Sequence, residues 1–220
     1  MLDLGTILER LRSTYGTIEL PPPRTPFAIL VWDACAYLVD DDRRLEVYRR
    51  IEEEVGLTPE AILDCNDLPD RIQAGGTHPE RRALRLFETA HKALELGLDE
   101  AVKRPLDEAR KVLKKFPGQG EPGAEKVLLL SGNHAVLAIE SNGVRTLWRL
   151  GYAARTDPEK NYAQTYSALR NELQVPDDLA EVQQAHLLLR RHGQMICKRT
   201  QPLCPECPLL DGCPTGKALV

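Results

Sequence analysis

Apolar positions recur at three- and four-residue spacing along almost the whole chain, a period that predicts helices. MLDLGTILERLRSTYG at the start reads as an amphipathic helix. PPPRTP (21–26) is a stiff connector, and Thr25-Pro26 supplies an N-cap followed by a first-turn proline. FAILVWDACAYLV (27–39) is apolar on every side except at Asp33, so the pattern predicts a buried helix over that whole run. Further helical patterns cover 42–56, 58–66, 78–97, 106–116, 122–132 and 141–152. A long pair follows over about 158–173 and 178–192. Strand alternation is scarce, and neither hairpin signals nor internal repeats interrupt the helices. The pattern predicts an all-α protein.

Composition changes this picture little. Hydrophobic residues are 42% and charged residues 28% of 220, ordinary for a globular chain with a sizeable core. No stretch approaches the roughly 20 apolar residues of a membrane helix. The N-terminus lacks the basic start and apolar run of a signal peptide, so a cytoplasmic protein is expected. Charge is more informative. Residues 40–70 hold eleven acids against four arginines, a balance of −7 within a net −4, which leaves the remainder at +3. Locally basic stretches lie at 103–115, 141–155 (Arg145, Arg149, Arg155) and 187–200 (Arg190, Arg191, Lys198, Arg199). Each alone reads as a solvated helix face, and together they allow a basic surface for phosphate on an acidic protein.

Two motifs carry chemistry. In KKFPGQGEPGAEKVLLLSG (114–132) one helix ends, a tight glycine turn follows and a second helix begins. Such a turn points backbone N–H groups outward, and its glycines let a phosphate approach the positive end of the second helix. Pro117, Gly118, Gln119, Gly120 and Gly123 form the candidate grip, with Lys126 as the nearby cation. The stretch resembles a helix-hairpin-helix element, which holds a DNA backbone without reading sequence; an ordinary αα-corner also accounts for it. Near the end, CKRTQPLCPECPLLDGCP places Cys197, Cys204, Cys207 and Cys213 in the spacing C-x6-C-x2-C-x5-C. Clustered cysteines in a reducing cytosol more often hold metal than form disulfides, and four thiolates on a Pro-rich loop suit zinc or an iron–sulfur cluster. Cys35 reads as core packing, and Cys65 carries no motif.

The order of the hairpin, an acid in AIESNGVRTLWRLGY, and AHLLLRRHGQMIC leading into the four cysteines is similar to one family. From PPPRTPFAILV to GCP the chain resembles the endonuclease III and adenine glycosylase branch of the helix-hairpin-helix DNA glycosylases. The resemblance implies a six-helix barrel domain over 24–134, with the hairpin at about 106–132. It implies a second, cluster domain from 1–23 and 135–220, with a 4Fe–4S cluster on Cys197, Cys204, Cys207 and Cys213. It also implies a monomeric, nucleoid-associated repair enzyme whose substrate is double-stranded DNA with a damaged or mismatched base. Arg190, Arg191, Lys198 and Arg199 would then belong to a basic lobe facing the DNA backbone.

The resemblance is uneven where catalysis is concerned. Bifunctional members carry a lysine just after the hairpin that forms a Schiff base with the sugar. That position is Pro122 here, which has no nucleophile. Lys126, one turn further on, is the remaining amine, although the simpler expectation for it is an exposed solubilising lysine. The family's essential aspartate aligns with Glu140, a carboxylate suited to stabilising charge on the deoxyribose or to activating water. Asp33 matches the position of a glutamate that protonates the base in adenine glycosylases. Burial in an apolar helix would suit Asp33 to that role, unless a cation pairs with it as a structural salt bridge. Glu140 and Asp33 together imply a monofunctional glycosylase. The alternatives are a catalytically inactive DNA-binding or damage-sensing paralogue and a bifunctional enzyme using the displaced lysine. Where endonuclease III-like enzymes place a gap-filling glutamine the chain reads CAYLVDDD, and Tyr37 and Leu38 are expected in the core, with an apolar wedge into the duplex as the alternative. Trp32, Tyr37 and Trp148 are candidate stacking aromatics.

Overall fold

The structure is a computed structural model that describes residues 1–220. It is all-helical, with a single isolated bridge between Tyr37 and Gly76 as its only β pairing. The helices are α1 (Leu4–Tyr15), α2 (Pro26–Ala34), α3 (Asp41–Glu54), α4 (Pro59–Asp64), α5 (Leu68–Arg71), α6 (Pro79–Leu96), α7 (Leu98–Ala101), α8 (Leu106–Leu113), α9 (Glu121–Leu130), α10 (Ser141–Arg149), α11 (Tyr162–Glu172), α12 (Leu179–Met195) and α13 (Pro214–Leu219). They sort into two compact units, Pro22–His134 and Met1–Pro21 with Ala135–Val220. No helix is long and apolar enough to cross a membrane.

In the Pro22–His134 unit, α2 is the centre. Thr25 accepts from the Ala28 amide as its N-cap, and α2 packs against α6, α9, α3 and α7. Ile29 and Val31 of α2, Ile51, Ile62, Leu86 and Leu128 are fully enclosed, which is the apolar burial that holds these helices together.

The helix predicted over 27–39 is shorter than its apolar pattern. It stops at Ala34, because three devices turn the chain out of the helix. Arg44 Nη1 donates to the Trp32 carbonyl at 2.7 Å, and Leu38 takes a left-handed φ of +55°. Asp40 then caps α3 by accepting from the Arg43 amide at 2.8 Å. Tyr37 and Leu38, expected in the core, are instead 56% and 81% exposed. The residues that the apolar pattern ran together therefore form a helix and a projecting loop.

In the other unit, α12 packs against α10 and α1, and α10 also meets α11 and α13. Ile7, Leu11, Val144, Leu147, Leu169 and Leu188 make its core. The helix predicted from about 158 begins at Tyr162, because Asn161 provides the N-cap by accepting from the Gln164 amide at 3.0 Å.

Candidate active site and cysteine loop

The glycine turn joins α8 to α9. Gly118 sits at φ +68°, and a Cβ there would come within 2.5 Å of the Arg85 guanidinium, so only glycine fits without displacing that side chain. Arg85 Nε donates to the Pro117 carbonyl at 3.0 Å and braces the turn from α6. Gly120 caps α9, and Pro122 stands in its first turn, where the missing N–H costs nothing. The Gln119 side chain folds over Gly123. Beneath the turn, Arg110 of α8 and Glu125 of α9 form a buried ion pair at 2.7 Å, with Glu125 wholly enclosed.

Lys126, on α9, is not a solubilising lysine. Its ammonium donates to Asp33 of α2 at 2.7 Å, and the two side chains are only 23% and 13% exposed. Positions 122 and 126 lie four apart on one helix face, so the amine stands one turn beyond Pro122 on the same side. Of the two readings of Asp33, a proton donor or a member of a structural salt bridge, the geometry supplies the cation that the second requires. Lys126, expected as a phosphate cation, is engaged by Asp33.

Glu140 belongs to the other unit and occupies the N-cap position of α10. Its side chain does not cap the helix. One oxygen accepts from Asn142 Nδ2 at 2.8 Å, and the other faces Arg190 Nε at 3.4 Å. Carboxylate and guanidinium are each about a quarter exposed. Arg190, expected on a DNA-facing lobe, is therefore drawn to Glu140, while Arg191 and Lys198 are exposed. Arg199 is exposed as well and pairs with Glu159. Gly193 of α12 lets this site close up, since a Cβ there would fall 2.6 Å from that of Asn142. Beside it, burial and the charge of Glu140 push the Tyr162 phenol up to about 12.

The four cysteines follow α12, and none is in a disulfide. With Arg149, Ile196, Pro202 and Leu210 they line one cavity. No three Cys, His, Asp or Glu side chains converge closely enough to hold a single ion. The sulfurs stand instead around a space, which is what a larger group needs when each thiolate takes its own metal atom. Donors already point at them. The Leu209 amide donates to Cys207 at 3.4 Å, Gly216 N to Cys213 at 3.2 Å and Arg149 Nη1 to Cys197 at 3.5 Å. Burial raises the Cys207 thiol to about 11, and the neighbouring cysteines add to the rise. Four sulfurs around one space, three of them already accepting N–H donors, are a donor set that fits a metal cluster.

No protein-family model matches the chain. Curated relatives do, and two of those are more than 30% identical. It is 31% identical over 227 residues to the thymine-DNA glycosylase of Aeropyrum pernix, covering 96% of each chain. It is 32% identical over 165 residues to the endonuclease III of Rickettsia conorii, covering 72% of this chain and 75% of that one. The chain belongs to the endonuclease III family of DNA glycosylases. The fold agrees. A trapped endonuclease III–DNA covalent intermediate superposes over 100% of this chain and 99% of its own, with a TM-score of 0.77 at 23% identity. A thermostable thymine-DNA glycosylase covers 98% of this chain and 97% of its own, with a TM-score of 0.75 at 18% identity. The protein is a DNA glycosylase of base-excision repair.

Several residues that shape this glycosylase escaped the sequence reading. Arg145 and Arg149, read as a basic face, turn inward instead. Arg145 donates to the Cys197 and Gly193 carbonyls, each at 2.7 Å, and to Asn142 Oδ1 at 2.8 Å. Arg149 donates to the carbonyls of Lys198 at 2.7 Å and Arg199 at 3.1 Å. The two arginines strap the cysteine loop to α10, and Arg145 also bonds the residue that holds Glu140. In the other unit, buried Arg82 bonds the carbonyls of Cys35, Ile72, Gly76 and Thr77, which fixes the base of the Tyr37–Leu38 loop. The unbroken absence of acids around Arg145 and Arg149 was the one available signal, and it pointed equally to phosphate.

Proposed function

We propose that the protein is a monofunctional glycosylase, which removes a damaged or mismatched base from duplex DNA by hydrolysis and leaves the strand intact. The observation that carries this reading is the 2.7 Å ion pair between Lys126 and Asp33. A Schiff base needs a neutral amine. Pro122 offers none, and the Lys126 nitrogen is held in a charge-assisted bond to Asp33 that an attack on the sugar would have to break. Asp33 is then a partner for that lysine rather than a free proton donor.

Glu140 is the catalytic carboxylate. As the C1′–N bond breaks, its electron pair leaves with the base, which takes a proton from solvent. Positive charge develops on the sugar, and the Glu140 carboxylate stabilises it. A water aligned by the same carboxylate then bonds to C1′ and gives up its proton. Asn142 and Arg190 hold the Glu140 oxygens and fix their direction. The hairpin from Pro117 to Gly123 holds phosphate through backbone N–H groups, and Arg191, Lys198 and Arg199 add positive charge. Exposed Leu38 and Tyr37 fill the space of the flipped nucleotide.

Cys197, Cys204, Cys207 and Cys213 hold a 4Fe–4S cluster. Bound there, the cluster cross-links a loop that has little apolar core of its own and supplies a redox-active centre.

The test is base release, measured by chromatography from a panel of duplexes with oxidised, alkylated, deaminated or mismatched bases. The wild type frees a base from at least one duplex, and Glu140→Gln slows that release by about 10²-fold or more while still binding DNA. Salt-sensitive binding with no release from any duplex would identify a non-catalytic damage sensor instead.

A further inference from the structure

His192 is a histidine that the reaction leaves unused. It lies on the last turns of α12, 1% exposed, five residues before Cys197. Its two ring nitrogens have different partners. Nδ1 is 3.0 Å from the phenol oxygen of Tyr15 at the end of α1, and Nε2 is 3.6 Å from the Cys207 sulfur. The rings of Tyr15 and His192 also pack together, with centroids 6.1 Å apart. Tyr15 is itself only partly exposed.

We propose that Tyr15 and His192 form a hydrogen-bond relay that ends on Cys207 and sets the reduction potential of the cluster held by the cysteine loop. The inference rests on the reading of that loop as a cluster site. A metal-bound thiolate has no proton to give, so the bond to Cys207 requires the proton on Nε2. Nδ1 is then the acceptor of the Tyr15 hydroxyl. The phenol thus fixes the tautomer, in the way that an outer partner orients a ligating group. Cys207 receives a second donor from the Leu209 amide at 3.4 Å, so two N–H groups converge on one sulfur. Hydrogen bonds to cluster sulfurs favour the more negatively charged, reduced state and raise the potential. Tyr15 and His192 are positioning residues here, since neither is a cluster ligand. The relay also ties the N-terminal helix to the state of the loop.

The experiment compares the wild type with His192→Leu, His192→Gln and Tyr15→Phe. Iron content and visible absorption report loading, and film voltammetry reports potential. His192→Leu removes the donor, and its potential moves to more negative values. His192→Gln places an amide N–H where Nε2 stood, and its potential stays near the wild type. Tyr15→Phe frees the tautomer, and its potential moves in the direction of the leucine variant. A merely structural histidine would change loading or melting temperature without this order of potentials. Equal potentials in the wild type and His192→Leu would overturn the relay, as would a glutamine variant shifted as far as leucine. Should His192→Leu fail to fold, Tyr15→Phe decides, because an unchanged potential there overturns the relay on its own. A wild-type protein without iron overturns the cluster reading and the relay with it, whereas a loaded wild type with equal potentials overturns only the relay.

Discussion

At the residue scale, the chemistry turns on which charges are already partnered. A lysine four positions past Pro122 is on the right helix face for a nucleophile, yet its ammonium faces Asp33 at 2.7 Å. Turning that amine onto a sugar would break a charge-assisted bond in a partly enclosed place. Asp33→Asn is therefore expected to cost about 1–3 kcal/mol, since it leaves Lys126 without its counter-charge. Urea denaturation measures this, and a loss near zero would show the pair to be incidental. Glu140 is held differently. Its partners, Asn142 and Arg190, fix its oxygens on a helix N-terminus without enclosing them. Glu140→Asp keeps the charge but withdraws it by one methylene, and base release should fall by less than in Glu140→Gln.

At the scale of elements, the buried Arg110–Glu125 pair welds the two hairpin helices beneath a turn that must present its backbone outward. Glu125→Ala is expected to cost about 1–3 kcal/mol, because it leaves the enclosed side of the Arg110 guanidinium without its partner while Asp107 keeps the other side. A loss under about 1 kcal/mol in chemical denaturation would contradict that account. Here the limits of sequence reading are also visible. The helical period, the Thr25 cap, the glycine turn and the cysteine spacing were legible because each is a local rule. Tyr37 and Leu38 were misplaced because an apolar run says nothing of where Arg44 and Arg82 will turn the chain. Arg145 and Arg149 were misread for a related reason. An arginine on a helix reaches solvent or a neighbouring carbonyl with the same stem, and those carbonyls exist only once the cysteine loop has folded. The Lys126–Asp33 pair joins positions 93 apart in sequence, which no spacing rule connects.

At the scale of the whole molecule, the two compact units are held by different means. The Pro22–His134 unit has a dense apolar core around α2, whereas the loop after Met195 relies on its cysteines and on two arginine straps. Oxidative loss of the cluster is thus expected to raise amide exchange across 196–213 and the end of α12 while α2 and α6 stay protected. Uniform exchange across both units would contradict that picture. Alkaline pH acts on both. Burial lifts the Tyr48 and Tyr162 phenols to about 12, so the unfolded chain loses these protons first as pH rises from about 10. The native state then binds more protons than the unfolded one, and stability falls between pH 10 and 12. Tyr48→Phe and Tyr162→Phe should flatten that fall in denaturation midpoints measured against pH. The central claim, excision without a covalent lysine intermediate, is tested most directly by one gel. A duplex from which the protein releases a base is incubated with it, then split between alkali, buffer and borohydride. The account predicts breaks only after alkali and no trapped protein–DNA adduct. Breaks in buffer alone, with a borohydride adduct that disappears in Lys126→Met, would contradict it.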